Sequence, residues 1–301
     1  MTDLIEQVRA ALGDRYAVLD LIGQGGMALV FLAEERESRS RMAVKVLDPE
    51  IASHLVRKRF LQEVELSRQI THPQSVPILE AGEAGGLFYY VMPYLGESLR
   101  ERLDREGRLS LPEALMIIRD VAEVLAFAHT RDIVHRDIKP ANILLQDGRA
   151  VVADFGIAKA ICASCGPGMT GSGMSLGSPG YMSPEQAFGS ADVDARTDVF
   201  SLGCVVYEML VGERPVLRPD LLRTDRGRLG GVSDAQRRRL NELPRGLEEL
   251  LARMLAWDPA DRPGSIVEVV GPVESLHQAL RPKGPRGLRG VLAWLTKGFG
   301  H

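Results

Sequence analysis

The stretch HRDIKPAN, residues 135–142, places His, Arg, Asp, Lys and Asn side chains in one short loop. Twelve residues beyond Asn142, the triplet DFG at 154–156 follows the apolar run AVVA, so that Asp154 lies at the end of a predicted strand. Carboxylate and amide oxygens are hard ligands, and they suit Mg²⁺ that is bound together with phosphates. The pair Asn142 and Asp154 therefore indicates a site for magnesium and phosphate.

The segment GQGGMALV, residues 23–30, is a glycine-rich turn between two predicted strands. Such a turn lets backbone N–H groups approach a phosphate without obstruction by side chains. Gly23 and Gly25 fit this use, but Ala28 stands where a third glycine is usual. A plain hairpin turn remains an alternative, whereas a dinucleotide-binding turn is disfavoured because a strand, and not a helix, follows.

A single lysine, Lys45, interrupts the apolar strand MAVKVL at 42–47. An unpaired buried ammonium group is costly, and the candidate partner is Glu63 on the next predicted helix. In the alternative, the lysine stem packs while its ammonium group reaches water. A lone DFG is typical of a simple turn, but that interpretation fails when the glycine turn, the strand lysine and HRDIKPAN precede it in order.

Hydrophobic periodicity divides the chain into a mostly β part and a mostly α part, with the break near 93–97. Apolar residues at helical spacing predict a helix over 51–70. Ser110 and Glu113, three residues apart, predict a capping box at the start of another helix. The predicted strands cover 16–23, 28–35, 41–47, 76–82 and 87–92, two short strand pairs lie near 133–152, and further helices cover 197–211 and 245–256.

Composition and charge exclude several classes of protein. The 301 residues are 45% hydrophobic and 26% charged, which is ordinary for a globular chain that is long enough for two lobes. The net charge of −3 argues against a nucleic-acid partner, and three cysteines fit a reducing compartment. Residues 1–16 lack the apolar run of a signal peptide, and no run reaches the length of a membrane span. We therefore expect a cytoplasmic protein.

Taken together, these motifs resemble those of the protein kinases, and most closely the eukaryotic-like bacterial Ser/Thr protein kinases. The resemblance covers about residues 16–280 and implies an α+β, bilobal fold with a small β-rich N-lobe that carries one long helix, and a larger, mainly helical C-lobe. The motifs that carry it are GQGGMALV, MAVKVL, HRDIKPAN, DFGIAK, GSPGYMSPEQA, DARTDVFSLGCVVYEML and DPADRP. The implied divisions are an N-terminal extension at 1–15, the N-lobe at 16–92, the hinge at 93–97, the C-lobe at 98–280 with an activation loop at 157–182, and a basic amphipathic tail at 281–301.

The resemblance implies ATP and Mg²⁺ as cofactors, with Mn²⁺ as an alternative metal, and transfer of the γ-phosphoryl group to Ser or Thr hydroxyls of proteins. Asp137 would take the proton of the substrate hydroxyl, and Lys139 would neutralise the transferred phosphoryl group. Lys45 would hold the α- and β-phosphates and would be oriented by Glu63. Gly23 and Gly25 would cover the phosphates, and Asn142 and Asp154 would hold the metal. The residues implied around adenine are Val30, Ala43, Met92, Leu95 and Leu144, of which Met92 would be the gatekeeper.

Four further residues have structural roles, and those of Asp198, Glu185 and Arg262 are implied by the resemblance. Asp198 would brace the HRDIKPAN loop, and Glu185 would pair with Arg262. Cys204, on an apolar helix, is expected to be an inert core thiol. Pro93 departs from the acidic residue usual at the hinge, which we expect to be harmless because the family uses the carbonyl of that position.

The implied activation loop contains the glycine-rich segment ICASCGPGMTGSGMSLGSPGY, residues 161–181. A phosphate on this loop adds about −2 charge and would order it against nearby cations. The expected autophosphorylation sites are Thr170 and Ser172, with Ser175 third, while Ser178 is assigned to substrate positioning. The expected phosphate contacts are Arg136, Lys159 and Arg59, with solvated surface charge as the alternative for the last two.

Two features of the sequence leave alternatives open. Cys162 and Cys165 form either a redox lock on the loop or two reduced cysteines, since two thiols alone do not complete a zinc site. The tail at 281–301 has five Lys or Arg and no acidic residue, and could contact an anionic membrane, another protein or the chain's own surface. It could also be a frayed end or the start of a longer polypeptide.

The expected partners are protein substrates that contain Ser or Thr, a cognate phosphatase and a second kinase molecule for trans-autophosphorylation, with no nucleic acid. One rival interpretation is a pseudokinase scaffold, which predicts the loss of Lys45, Asp137 or Asp154, yet all three are present. The other is a small-molecule phosphotransferase, which would lack the GSPGYMSPEQ segment. The expected localisation is cytoplasmic, with membrane association through the tail left open.

Overall fold

The N-terminal part of the chain is an antiparallel sheet with the strand order β1-β2-β3-β5-β4 in this computed structural model. A helix, α1 (Thr2–Leu12), precedes the sheet. The strands are β1 (Tyr16–Gln24), β2 (Ala28–Glu35), β3 (Arg41–Leu47), β4 (Glu80–Ala84) and β5 (Leu87–Pro93). The structure describes residues 2–25, 28–49, 60–61, 64–65, 67–155, 179–190, 192–216, 224–225, 228–230 and 232–280.

Both faces of this sheet are covered, because its central strands carry apolar residues on both sides. On β3, Val44 packs in one cluster with Val8 and Leu12 of α1, and we call this side the outer face. Its neighbour Ala43 points the opposite way, into a second cluster that includes Met92 on β5. This inner face is turned toward the second lobe, so residues at alternate positions of β3 and β5 reach the space between the lobes.

Two predicted strand positions are wrong. The strand expected at 76–82 starts only at Glu80, because Pro77 has no N–H for a ladder and Val76 donates its N–H to the Val152 carbonyl at 2.9 Å. Within the fully described stretch 133–152, one strand pair forms where two are predicted. That pair is β6 (Ile143–Gln146) with β7 (Arg149–Val152).

Helical structure is found in two further places that bear on the sequence analysis. No element is predicted at 1–15, where α1 forms and packs on the sheet. Most of the helix predicted at 51–70 lies outside the described residues, and those described at 60–61, 64–65 and 67–68 are helical.

The C-terminal part is mainly helical and begins with α2 (Leu99–Glu106) and α3 (Leu111–His129). At the start of α3, the Ser110 hydroxyl accepts the backbone N–H of Glu113 at 3.4 Å. The Glu113 carboxylate is directed to Arg102 at 3.1 Å, so these residues form only half of the predicted capping box. The elements that follow are α4 (Pro184–Ala187), α5 (Arg196–Val211), the short strands β8 (Thr224–Asp225) and β9 (Arg228–Leu229), α6 (Asp234–Asn241), α7 (Arg245–Met254) and α8 (Val267–Leu280).

Helix α5 is the centre of the C-terminal core, and its residues from Thr197 to Val211 are buried. A helix that is buried on all sides must let its neighbours approach closely. A side chain at Gly203 would place its Cβ 3.0 Å from the Cβ of Met254, so glycine allows α5 to pack against the end of α7. Cys204 is fully buried beside it, and burial raises the pKa of its thiol, as expected of an inert core cysteine.

A β-rich N-lobe followed by a mainly helical C-lobe matches the predicted α+β, bilobal fold. Backbone hydrogen bonds join the two lobes, including Val152 N–H to the Gln74 carbonyl at 2.8 Å and Val76 N–H to the Val152 carbonyl at 2.9 Å. In the ranges that the structure describes, no helix has the length and apolarity needed to cross a membrane.

Candidate active site

Hydrogen bonds to Asp198, a fully buried residue in the first turn of α5, fix the HRDIKPAN loop. One oxygen, Oδ1, accepts the backbone N–H of Arg136 at 2.8 Å. The other oxygen, Oδ2, accepts the backbone N–H of His135 and lies 2.8 Å from Nε2 of His129. Arg136 itself has a positive φ of 64°, a conformation that a non-glycine residue adopts only when its surroundings hold it there. The brace implied by the resemblance is therefore present.

The uncharged side chain of His135 bridges two segments of the chain by hydrogen bonds. Its Nε2–H donates to the Ala153 carbonyl at 2.9 Å, and its Nδ1 accepts the backbone N–H of Asp137 at 3.2 Å. Burial lowers the pKa of His135, which keeps the ring uncharged. The imidazole also packs against Phe155, with ring centroids 4.7 Å apart. His135 thus fixes the backbone of Asp137 against the strand that leads to DFG.

The Asp137 carboxylate is held between a cation and an amide. Its Oδ2 lies 2.7 Å from Nζ of Lys139 and accepts a hydrogen bond from Nδ2 of Asn142 at 3.1 Å. The same Nδ2 also donates to the backbone carbonyl of Asp137 at 2.9 Å. Three of the predicted site residues therefore form one cluster, and the carboxylate is partly open, with 17% of its side chain exposed. A polar hydrogen brought to this carboxylate would find an oriented acceptor beside a positive charge.

Asp154 lies two residues beyond the end of β7 and contacts the strand lysine. Its Oδ2 is 2.6 Å from Nζ of Lys45, and its backbone has a positive φ of 63°. Burial alone would raise the pKa of Asp154, but the charge and hydrogen bonds of Lys45 and Tyr90 outweigh it and hold that pKa below its usual range. Asp154 is thus a half-buried, ionised carboxylate next to a lysine.

Tyr90 is the site residue that the sequence motifs did not reveal. Its hydroxyl donates to Oδ1 of Asp154 at 2.5 Å, and its ring lies below the ammonium of Lys45, 5.6 Å from Nζ to the ring centroid. Burial raises the pKa of Tyr90 well above its ordinary value. The residue sits in the apolar run LFYYVM, where a tyrosine carries no local signal of a polar role.

The donor atoms of Asn142 and Asp154 fit a divalent cation such as Mg²⁺. Because Nδ2 of Asn142 is committed to Asp137, its amide oxygen is turned to the opposite side. The backbone N–H of Ala153 donates to the backbone carbonyl of Asn142 at 2.9 Å, which fixes the residue before Asp154 against Asn142. An amide oxygen and an ionised carboxylate form the hard donor set that Mg²⁺ prefers when phosphates complete its shell.

The residues predicted around adenine come together on the inner face. Ala43 and Met92 are register partners on β3 and β5, and both are buried in the same cluster. Val30, Leu95 and Leu144 pack against that cluster from the glycine-turn strand, the hinge and β6. This set forms an apolar wall of the kind that binds a planar base.

The glycine turn is a hairpin between β1 and β2. Gly23 pairs with Val30, and the Gly25 N–H donates to the Ala28 carbonyl at 2.9 Å. Residues 26 and 27 lie outside the described residues. The two glycines therefore lie at the turn end of the β1–β2 pair. Strand β2 pairs in turn with β3, which carries Lys45.

A second ion pair fixes the segment that follows the implied activation loop. Arg262 is fully buried and bonds both carboxylate oxygens of Glu185, at 2.7 and 2.8 Å. Burial alone would raise the pKa of Glu185, but the Arg262 partner outweighs it and lowers that pKa. The neighbouring Gln186 donates from Nε2 to the Arg136 carbonyl at 2.9 Å. The expected pair is present, and Gln186, which was not predicted, ties this segment to the HRDIKPAN loop.

Several predicted site residues lie outside the described residues: Glu63, Arg59, Lys159, Thr170, Ser172, Ser175, Ser178, Cys162 and Cys165. The basic tail at 281–301 lies outside them as well. Of the predicted phosphate contacts, Arg136 alone is described, with its N–H on Asp198 and its carbonyl on Gln186. The roles predicted for the residues outside the described ranges, and the phosphate contact predicted for Arg136, stay predictions.

Comparison with known proteins identifies relatives of this arrangement. Residues 16–273 match the family described as protein kinase domain. The serine/threonine-protein kinase PknB of Mycolicibacterium smegmatis is 36% identical over 284 residues, which cover 92% of this chain and 45% of PknB. The serine/threonine-protein kinase PknD of Mycobacterium tuberculosis is 34% identical over 266 residues, 87% of this chain and 39% of PknD.

A solved structure extends the likeness to the fold. The crystal structure of a point mutant of the Mycobacterium tuberculosis PknI kinase domain superposes with a TM-score of 0.64 at 30% identity and covers 87% of this chain and 94% of that chain. The chain spans less than half the length of the PknB and PknD relatives.

Proposed function

The chain belongs to the protein kinase family, and we propose that it transfers the γ-phosphoryl group of ATP to Ser and Thr hydroxyls of proteins. The observation that carries the proposal is the cluster of Asp137, Lys139 and Asn142 together with the pair of Lys45 and Asp154. These are the residue types that phosphoryl transfer needs for positioning and charge stabilisation. The names of the relatives support Ser and Thr as the acceptors.

In this mechanism, Asp137 orients the nucleophile. Its carboxylate accepts a hydrogen bond from the substrate hydroxyl and takes up the proton as the oxygen–phosphorus bond forms and ADP leaves. Lys139, already 2.7 Å from Asp137, stabilises the negative charge on the transferred group. Because His135 and Asp198 fix the loop backbone, this acceptor is preorganised before substrate arrives.

The N-lobe residues hold the nucleotide. Lys45, which extends from the sheet toward the cleft, has an ammonium group for the α- and β-phosphates, and the apolar wall around Ala43 and Met92 receives adenine. Asn142 and Asp154 would hold Mg²⁺, or Mn²⁺ in its place, which supplies charge neutralisation to the phosphates when bound.

We further propose that activity is controlled on residues 157–182. Autophosphorylation at Thr170 or Ser172, with Ser175 third, would add negative charge next to Arg136, Lys159 and Arg59, while Ser178 would position the substrate. The bond from Gln186, four residues beyond this segment, to the Arg136 carbonyl supports a coupling between the activation loop and the HRDIKPAN loop. A protein substrate, a cognate phosphatase, a second kinase molecule and a membrane or protein contact of the tail remain the proposed partners.

The test is transfer of radiolabel from ATP to a generic protein substrate, followed by phosphoamino-acid analysis. Asp137→Asn should reduce the label to background, because the amide is no longer an acceptor of the hydroxyl proton. The matched control is Asp147→Asn, which makes the same change at the exposed β6–β7 turn and should leave transfer unchanged. Label on neither Ser nor Thr, or full transfer by Asp137→Asn, would contradict the proposal and favour the scaffold interpretation.

A further inference from the structure

Two neighbouring tyrosines on β5 direct their hydroxyls to carboxylates on opposite faces of the N-lobe sheet. Tyr89 points to the outer face and donates to Oε1 of Glu80 at 2.7 Å. Tyr90 points to the inner face and donates to Oδ1 of Asp154 at 2.5 Å. Successive strand residues alternate between faces, so one strand presents the same chemical group to a surface network and to the cleft.

The ring of Tyr90 is enclosed by apolar side chains, and its hydroxyl bonds to Asp154. The residue is 1% exposed, and its ring packs at 5.8 Å, centroid to centroid, from the ring of Phe60. Its register partner on β3 is Lys45, whose ammonium group lies over the same ring. A phenylalanine would fill this apolar space equally well, and a buried hydroxyl costs free energy unless it is bonded. The bond to Asp154 is therefore what distinguishes tyrosine from phenylalanine here.

The two oxygens of Asp154 have different partners. Oδ2 lies 2.6 Å from Nζ of Lys45, and Oδ1 receives the Tyr90 hydroxyl. One contact leaves a carboxylate free to rotate about its Cβ–Cγ bond, whereas two contacts from different strands fix the plane of the group. Each oxygen retains a second lone-pair direction, so the hydroxyl bond orients Oδ1 without filling it.

We propose that Tyr90 is a positioning residue for the divalent metal, holding the Asp154 carboxylate in the orientation in which it binds the cation of the metal–nucleotide complex. The inference rests on the proposed function, because it takes Asp154 as a metal ligand. Carboxylates that bind metals are oriented by hydrogen bonds from neighbouring groups, and loss of such a partner typically weakens metal binding about 10–100-fold. The opposing interpretation is that the hydroxyl competes with the metal for Oδ1, and it predicts tighter binding when the hydroxyl is removed.

The experiment is a titration of the full chain with Mn²⁺ in the presence of ADP, with free Mn²⁺ measured by electron paramagnetic resonance. Tyr90→Phe should weaken Mn²⁺ binding about tenfold. Its affinity for ADP without metal should stay within about twofold of wild type, since the hydroxyl acts through Asp154. Unchanged or tighter Mn²⁺ binding by Tyr90→Phe, with wild type binding normally, would overturn the inference and leave the proposed function intact.

The matched control is Tyr89→Phe, which removes the same hydroxyl from the next residue of the same strand. It should bind Mn²⁺ as wild type does, because its partner Glu80 lies on the outer face. Equal weakening by both variants would point to a general effect on the sheet and overturn the inference. If Tyr90→Phe does not fold, Tyr90→Met supplies a flexible apolar side chain in the same space, and the same loss is expected.

A kinetic readout separates positioning from general damage. With Tyr90→Phe, the concentration of Mg²⁺ that gives half-maximal transfer should rise about tenfold, while the rate at saturating Mg²⁺ approaches that of wild type. A fall in the saturating rate with no change in the Mg²⁺ requirement would contradict the assigned role. A wild-type chain that binds no Mn²⁺ with ADP and transfers no phosphoryl group would overturn the proposed function together with the inference.

Discussion

Asp198 in the C-lobe and Glu80 in the N-lobe are carboxylates that each receive contacts from three other residues. Asp198 is fully buried and binds two backbone N–H groups of the HRDIKPAN loop and the ring of His129. Glu80 has 26% of its side chain exposed and accepts the hydroxyls of Tyr16 at 2.8 Å and Tyr89 at 2.7 Å, beside an ion pair with Arg15. The number of partners is the same, but the surroundings differ.

The difference teaches that the value of a polar network depends on what it holds and on how far it is from water. The donors to Asp198 are main-chain groups of a loop without a ladder of its own, so this carboxylate determines the loop conformation. Two of the donors to Glu80, the side chains of Tyr16 and Tyr89, lie on strands that the sheet hydrogen bonds already fix. Water also replaces a surface bond readily, whereas a buried donor that loses its acceptor remains unsatisfied.

The largest effect is expected from Asp198→Asn. The amide keeps one oxygen but turns an NH₂ group toward a donor, so at least one buried N–H of the loop loses its acceptor. We expect a loss of about 3 kcal/mol in the free energy of unfolding. We also expect a fall of about 100-fold in the transfer rate, because Asp137 is displaced. Urea unfolding and the radiolabel assay measure the two effects, and a variant with wild-type rate and stability would refute the anchoring role.

Sequence patterns are sufficient for much of the fold, for a physical reason that β2 and β3 illustrate. Short runs rich in β-forming residues, bounded by turns, are a local signal, and they predict β2 and β3 at their observed bounds. The start of β4 differs from the prediction because Val76 bonds to Val152, far away in sequence, and Pro77 has no N–H to donate. Local propensity carries no information on such a partner.

The residues of the site likewise divide into those that local sequence predicts and those that depend on tertiary contacts. Asn142 and Asp154 are predicted from their hard oxygen donors and from the position of Asp154 at a strand end, and the resemblance adds the roles of Asp137 and Lys139. Tyr90 was missed because its role depends on the register of β5 with β3 and on the backbone of Asp154, both of which are tertiary features. For Lys45, the residues imply Glu63 as partner, and the structure adds Asp154 as a contact.

A second buried pair extends the comparison beyond Asp198. Glu185→Gln removes the charge that balances Arg262, a guanidinium with no exposed surface. Because glutamine retains one acceptor, we expect a loss of about 2–3 kcal/mol, somewhat below the usual cost of breaking a buried pair. Urea unfolding at neutral pH measures it, with Glu249→Gln on the exposed face of α7 as the control that should change little.

The pH dependence of this pair follows from the lowered pKa of Glu185. A carboxylate whose folded pKa lies below its unfolded pKa stabilises the fold above the unfolded value, which is about 4.3, and the contribution is lost as the pH falls. The difference between wild type and Glu185→Gln should therefore be full at pH 7 and shrink below about pH 4. A difference that is constant from pH 7 to pH 3 would contradict the ionic origin.

Glu80→Gln makes the matching change in the exposed network. The amide oxygen still accepts from a tyrosine, and the lost ion pair with Arg15 lies at the surface. We expect a destabilisation of about 1 kcal/mol or less, reduced further by salt, and an unchanged transfer rate. Urea unfolding at low and high ionic strength tests this. A loss as large as that of Asp198→Asn would show that burial does not explain the contrast between the two networks.

The smallest effect, from Tyr89→Phe, concerns one hydroxyl of the Glu80 network. Burial raises the pKa of Tyr89 to about 12, with its bond to Glu80 as a further cause, whereas an unfolded tyrosine titrates near about 10. A group whose folded pKa is raised stabilises the fold fully below the unfolded value and loses this contribution as the pH rises through the folded value. Wild type should therefore exceed Tyr89→Phe by about 0.5 kcal/mol at pH 8, and the two should converge between about pH 10 and pH 12. Unfolding midpoints measured across this range would refute the assignment if the two curves stayed parallel, since an uncharged packing effect has no reason to vanish where tyrosine ionises.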